Sequence, residues 1–310
     1  MDRIVLTEEL RSRGYDTAVI NQLRRTGQLR VVRRGAYLLG SEADVTHDPS
    51  STHRLLIDAA VRQHCDEAVV SHMSAAVLHD LPTWNDQLTK VQLIRNRAGG
   101  GRNRSNVIVR GLLLGSADIV QIDGISTTSL PRTVLDLACQ LPLSRSVAVG
   151  DAALRAAALS YPYEDLRPTL ESLLIVAGGR TGVPRARQAI AMLDGRSESV
   201  GESRSRVVLI QAGVPTPQLQ YEVYDAVGRF LARTDFAWPE ARTLGEFDGR
   251  IKYSGQLGEA GEDILFAEKR REDRLRSEGW EMVRWVWSEL KQPAALIRNL
   301  ERAFARGRRG

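Results

Sequence analysis

"DFAWPEARTLGEFDGRIKY", residues 235–253, decides how the C-terminal part of the chain is read. Its apolar and polar residues alternate on either side of "WPEARTL", so it reads as two antiparallel strands around a turn centred near Glu240 and Ala241. That centre sets Asp235 opposite Glu246, and directly opposed residues share a face. Glu246 and Asp248 share that face too, because side chains repeat every two residues along a strand. Three carboxylates on one patch repel each other unless a divalent cation neutralises them. Mg²⁺ suits such a patch, and it can activate water against a phosphodiester. The blander alternative is a charged hairpin surface with Arg242 and Arg250 as partners, since one residue of slip would part Asp235 from the other two.

The flanking segments complete a small domain over 196–310. "SVGESRSRVVLIQAG" reads as a helix stopped at Gly213, "TPQLQYEVYD" and "GRFLARTDFAW" as strands, and "EAGEDILFAEKRREDRLRSEG" as a long charged helix. "WEMVRWVWSEL" is a further strand entering a last helix. The order α-β-β-β-α-β-α implies a sheet flanked by helices. Trp280, Trp285 and Trp287 fit core packing better than base stacking. Residues 198–290 resemble the PD-(D/E)XK nuclease superfamily, in the branch near the very-short-patch-repair endonuclease. The stretches that carry this are "GESRSRVVLIQAGVPTPQLQYEV", "RTDFAWPEARTLGEFDGR" and "EKRREDRLRSEGWEMVRWVWSEL". The resemblance implies a restriction-endonuclease-like α/β fold and Mg²⁺ or Mn²⁺ held by Asp235 and Glu246. Glu202 on the first helix helps with the metal or its water, and Gln220 matches a position that touches a phosphate. Ser199-x-x-Glu202 is also a capping-box spacing, so Glu202 has an ordinary structural use, and Gln220 suits a strand edge equally well. Where the pattern wants lysine this chain has Asp248. Lys252 is the nearest lysine, some ~20 Å along a straight strand unless Gly249 bends it back, and Lys269 is the other substitute.

Upstream, "LTEELRSRG" reads as a helix capped by Thr7, "YDTAVINQLRRTGQ" as a second helix capped by Asp16, and "LRVVRRGAYLLG" as a hairpin turning at Arg34-Gly35. Helix, helix and basic hairpin are the order of a winged helix-turn-helix over 1–45. Its arginine surplus lies on the second helix and the wing, where such folds meet duplex DNA. Arg24, Arg25, Arg33 and Arg34 are the expected phosphate contacts, and Thr17 and Asn21 the expected base contacts. Residues 46–195 read as a mixed α/β domain, with strands in "KVQLIRN", "NVIVRG" and "ADIVQIDGIS". In the helix "SLPRTVLDLACQL", Arg132 and Asp136 are spaced to pair. "LRRTGQLRVVRRGAYLL", "SHMSAAVLHDLP" and "GISTTSLPRTVLDLA" resemble the AbiEi antitoxin family of type IV toxin–antitoxin systems. That resemblance implies a DNA-binding autorepressor in a phage-defence operon whose functional partner is a toxin.

The bulk properties agree with a multidomain protein of mixed α/β (α+β) class. The chain has 310 residues, 43% hydrophobic and 26% charged, and carries a net charge of +5, which suits a polyanionic partner. Cys65 and Cys139 form no CxxC pair, so a structural zinc site is not expected. His72 and His79, without a third ligand nearby, are assigned no chemistry. No apolar signal core or membrane-length run appears, which points to a cytoplasmic protein. Two functions follow: a metal-dependent DNA endonuclease targeted by its winged helix, and a non-catalytic repressor whose nuclease-like domain is a remnant.

Overall fold

The computed structural model describes residues 4–40, 48–63, 68–83, 88–103, 106–160, 165–249 and 259–309, with side chains from 268 onward in the last of these. In chain order the elements are β1 (Ile4–Leu6), α1 (Thr7–Ser12), α2 (Thr17–Arg25), β2 (Leu29–Arg33), β3 (Ala36–Leu39) and α3 (Pro49–Gln63). They continue as β4 (Ala68–Val70), α4 (His72–Leu78), β5 (Val91–Asn96), β6 (Gly101–Asn103), β7 (Val107–Leu112), β8 (Ile119–Ile122), β9 (Ile125–Thr128) and α5 (Leu130–Ala138). Next are α6 (Leu143–Ala158), α7 (Arg167–Ala177), α8 (Val183–Ala191), α9 (Val200–Gln211), β10 (Gln218–Tyr224), β11 (Phe230–Trp238) and β12 (Thr243–Phe247). Last come α10 (Glu259–Ser277), β13 (Glu281–Trp285), α11 (Trp287–Lys291) and α12 (Ala294–Gly307). The class is mixed α+β, with three sheets among the described residues. No described helix is long and apolar enough to cross a membrane.

The chain divides into two compact units, one of residues 1–140 and 166–183, the other of 141–165 and 184–310. The boundary expected at 195/196 lies inside the second unit.

In the first unit, β1-β3-β2 is an antiparallel sheet behind α1 and α2. Val5, Leu10, Ile20, Leu29 and Tyr37 form its core. Asp16 caps α2 as its sequence position suggests, accepting from the Val19 amide at 2.8 Å. Thr7 does not cap α1. It is the first helical residue, and Glu9 closes that end by accepting the Leu6 amide at 2.9 Å. A six-stranded mixed sheet, β6-β7-β5-β4-β9-β8, makes the rest of the unit. Arg132 and Asp136 pair on α5 as their spacing suggests, both of them buried. His72 is buried as well, and His79 is partly buried with its Nε2 against the Thr128 carbonyl at 2.8 Å, so both are bound into this unit's packing.

In the second unit, β10-β11-β12-β13 is a four-stranded sheet. The first three strands run antiparallel and β13 parallel to β12, an arrangement that requires the crossover through α10. Phe236, Trp238, Trp285, Leu296, Leu300 and Phe304 are among its core residues. Trp285 is fully buried, its indole donating to Ser205 Oγ at 2.7 Å, which bears out a packing role. The helix α6 reaches this core through a buried ion pair, Arg206 on Asp151 at 2.6 Å.

Candidate functional site

The hairpin register is the expected one. Phe236 pairs with Gly245, Ala237 with Leu244 and Trp238 with Thr243, so the ladder continued by one residue sets Asp235 against Glu246. Asp235 Oδ2 accepts the Phe247 amide at 2.8 Å, which ties the carboxylate to the end of β12. The N-terminus of α9 closes over the same end of the sheet. Gly201 permits this approach, since a Cβ there would sit 1.9 Å from the Phe247 ring. Glu202 therefore comes close to the hairpin. Its amide donates to Ser199 Oγ at 3.1 Å, so half of the capping box forms. Its carboxylate turns elsewhere, with Oε2 accepting from the Glu198 amide at 2.8 Å and from Gln220 Nε2 at 2.9 Å.

Gln220 lies across from Asp235 on β10, where the pairing skips it, and its φ of 51° is left-handed. A non-glycine residue in that region is strained, and here the twist accompanies the bond to Glu202.

The charges gathered here act on the pKa of Asp235. Asp235 is pushed up to about 6, first by burial and then by the charges of Glu202, Glu246 and Glu198, against the Phe247 amide that pulls it down. Glu198 was missed in the sequence because it lies outside the motif, one residue before the cap of α9. Asp248 follows the last residue of β12, with its amide donating to the Trp285 carbonyl at 2.9 Å. Lys252 lies outside the described residues, and Lys269 is exposed on α10.

Glu246 is engaged on both oxygens. Arg271 holds Oε1 at 2.7 Å and Arg284 holds Oε2 at 3.0 Å. Both guanidiniums also bind Glu268, and Arg284 reaches Glu272 at 3.4 Å. Arg271 of α10 and Arg284 of β13 thus clamp the strand acid. Among the described residues no group of three His, Cys, Asp or Glu side chains is arranged to hold a metal ion. Asp235 and Glu202 each keep one oxygen that accepts no hydrogen bond among the described residues, so they suit a divalent cation. Glu246 joins them only if its guanidiniums withdraw.

A second candidate lies on α2 and β2 of the first unit. A groove of about 830 Å³ runs between α2 and β2, lined by Asn21, Arg24, Arg25 and Arg30 among others. Arg24 donates to Asn21 Oδ1 at 3.3 Å, which orders the two on one turn. Arg30 is not among the expected phosphate contacts. Its strand position brings it beside α2, a tertiary contact that charge counting does not reveal. Thr17 and Arg34 are exposed outside the groove lining. Arg33 is half-buried, its Nε and Nη1 enclosed without hydrogen-bond partners among the described residues, and burial pulls its pKa down.

No protein-family model matches the sequence. Uncharacterized protein MT2308 of Mycobacterium tuberculosis (strain CDC 1551 / Oshkosh) is 32% identical over 196 residues, which cover 62% of this chain and 68% of that protein. Uncharacterized protein Rv2248 of Mycobacterium tuberculosis (strain ATCC 25618 / H37Rv) matches with the same identity and coverage. On that shared length and identity, the chain belongs to the family of these two mycobacterial proteins.

Proposed function

We propose that this protein is a cytoplasmic DNA-binding protein whose second unit hydrolyses DNA phosphodiester bonds as a metal-dependent endonuclease. The observation that carries the reading is the meeting of Glu202, Asp235 and Glu246 at one end of a four-stranded sheet, with Asp235 lifted to about 6. A buried carboxylate crowded by two others is stabilised in its charged form by a divalent cation. Asp235 and Glu202 would hold Mg²⁺ or Mn²⁺, with Glu246 recruited from its arginines. When bound, the cation supplies an activated water and neutralises charge on the phosphate. The chain's own contribution is to fix Asp235 through the Phe247 amide and Glu202 through Gln220. Asn21, Arg24, Arg25 and Arg30 in the groove, with Thr17 and Arg34 beside it, would hold the duplex.

The clamp on Glu246 favours a second reading, a non-catalytic repressor that acts in an operon with a toxin and keeps the nuclease-like fold for its structure. Incubation of purified protein with linear and supercoiled DNA and Mg²⁺ or Mn²⁺ separates the two. Cleavage by the wild type and none by Asp235→Ala, Glu246→Ala supports the endonuclease. Operator binding in a mobility-shift assay with no cleavage under either metal supports the repressor.

A further inference from the structure

The first unit contains an amphipathic cavity unrelated to the acids of the second. It measures about 600 Å³ and is lined by Leu112, Leu114, Leu135 and Leu173, with Leu113 and Val176 at its rim. Those rim residues are 69% and 84% exposed, so the apolar wall opens to solvent. The polar part of the lining is Arg132, Arg180 and Asp118.

The charges around it do not balance. Asp136, fully buried, accepts from Arg132 Nε at 3.1 Å and from Arg180 Nη2 at 2.6 Å. Asp118 takes Arg132 Nη1 at 2.9 Å. Arg110, behind the lining, adds a third guanidinium within electrostatic reach of Asp136 and Arg180, and its buried Nη1 has no hydrogen-bond partner among the described residues. His72, beside these groups, is held neutral by burial, its pKa lowered to about 4. Among the described residues, three guanidiniums against two carboxylates leave one positive charge unmatched, and an uncompensated charge partly withdrawn from water is costly. A loop built for close approach presents Arg180. Gly182, at φ 90°, lies so near the Cys139 carbonyl that a Cβ would meet it at 2.1 Å.

We infer that this cavity binds a small organic monoanion with an apolar body, its carboxylate on Arg180 and Arg132 and its hydrocarbon against Leu112, Leu135, Leu173 and Val176. The anion completes the charge count, and its apolar part covers the open wall. A phosphate group would pair with the same guanidiniums, so the test separates head from body.

The full-length protein is followed by thermal unfolding and by calorimetry with octanoate, octan-1-ol, acetate and inorganic phosphate at matched concentrations. Octanoate is expected to raise Tm in a saturable way, and the other three to leave it nearly unmoved. Val176→Asp puts a negative charge at an exposed rim position without touching the core. It should weaken octanoate by on the order of tenfold while leaving the ligand-free Tm unchanged. Arg180→Met should abolish the shift. The proposal is overturned if octan-1-ol binds as well as octanoate, if phosphate alone gives the same shift, if no probe binds, or if octanoate binds Val176→Asp with unaltered affinity.

Discussion

Asp235 carries a testable sign. Its pKa rises from 3.8 to about 6 on folding, so the folded chain favours the protonated acid. The stabilisation this gives is fully present below about pH 4 and is lost as pH rises through about 6. Asp235→Asn keeps an acceptor for the Phe247 amide and removes the charge. At pH 7.5 it should be the more stable protein by roughly 1–2 kcal/mol, allowing for partial solvent screening, with no gain at pH 4. Urea unfolding at the two pH values measures this. His72 works in the opposite direction. Burial lowers it from 6.5 to about 4, so stability is present above pH 6.5 and falls as pH drops toward 4. His53 and His79, also lowered by burial, add to that acid sensitivity. Hydrogen exchange from pH 7 to 4.5 should show the first unit loosening while the Asp235 region does not. An unchanged first unit over that range would contradict the assignment.

At the scale of elements, the hairpin was the most legible part of the sequence. Alternation and one turn signal fix which residues oppose each other, and Asp235 against Glu246 followed directly. The clamp by Arg271 and Arg284 was not legible, because it joins β12 to β13 and α10 across a crossover, and no local period encodes that. In the first unit the α1–α2–β2–β3 order and the Asp16 cap were legible, whereas β1 and the absence of a Thr7 cap were not, and the burial of Arg33 depends on how the β2–β3 hairpin packs. Under the proposed function, DNA binding should therefore divide unequally among the arginines. Arg24→Ala, Arg25→Ala should lower affinity across sequences and flatten the salt dependence by nearly two units of log–log slope, one per lost phosphate contact. Arg33→Ala should alter that slope little. Fluorescence anisotropy at several salt concentrations gives both values, and an equal loss in the two variants would refute the placement of Arg33.

For the whole molecule, the second unit includes more chain than its motif suggests. The helix α6 is bound to α9 through Asp151 and Arg206, both nearly inaccessible to solvent. Asp151 gains an Arg206 hydrogen bond and the Asp194 amide, yet burial still pushes its pKa upward. Arg206→Met leaves that acid without its cation and should cost about 3–5 kcal/mol, which unfolding curves of the full chain would reveal. The same logic predicts that a fragment beginning at residue 196 unfolds far more readily than the whole protein. Sequence reading set the boundary there from the element order and motif that begin at 196, whereas a single arginine–aspartate contact 55 residues apart left no periodic trace.

The backbone passes between the two units at 140/141, 165/166 and 183/184. During synthesis, the first unit cannot close until α7 has left the ribosome, and by then α6 has already emerged with its own partners still untranslated. Folding of the two halves is thus interleaved in time, and an arrest of translation just after residue 140 would release a nascent chain in which neither half is finished.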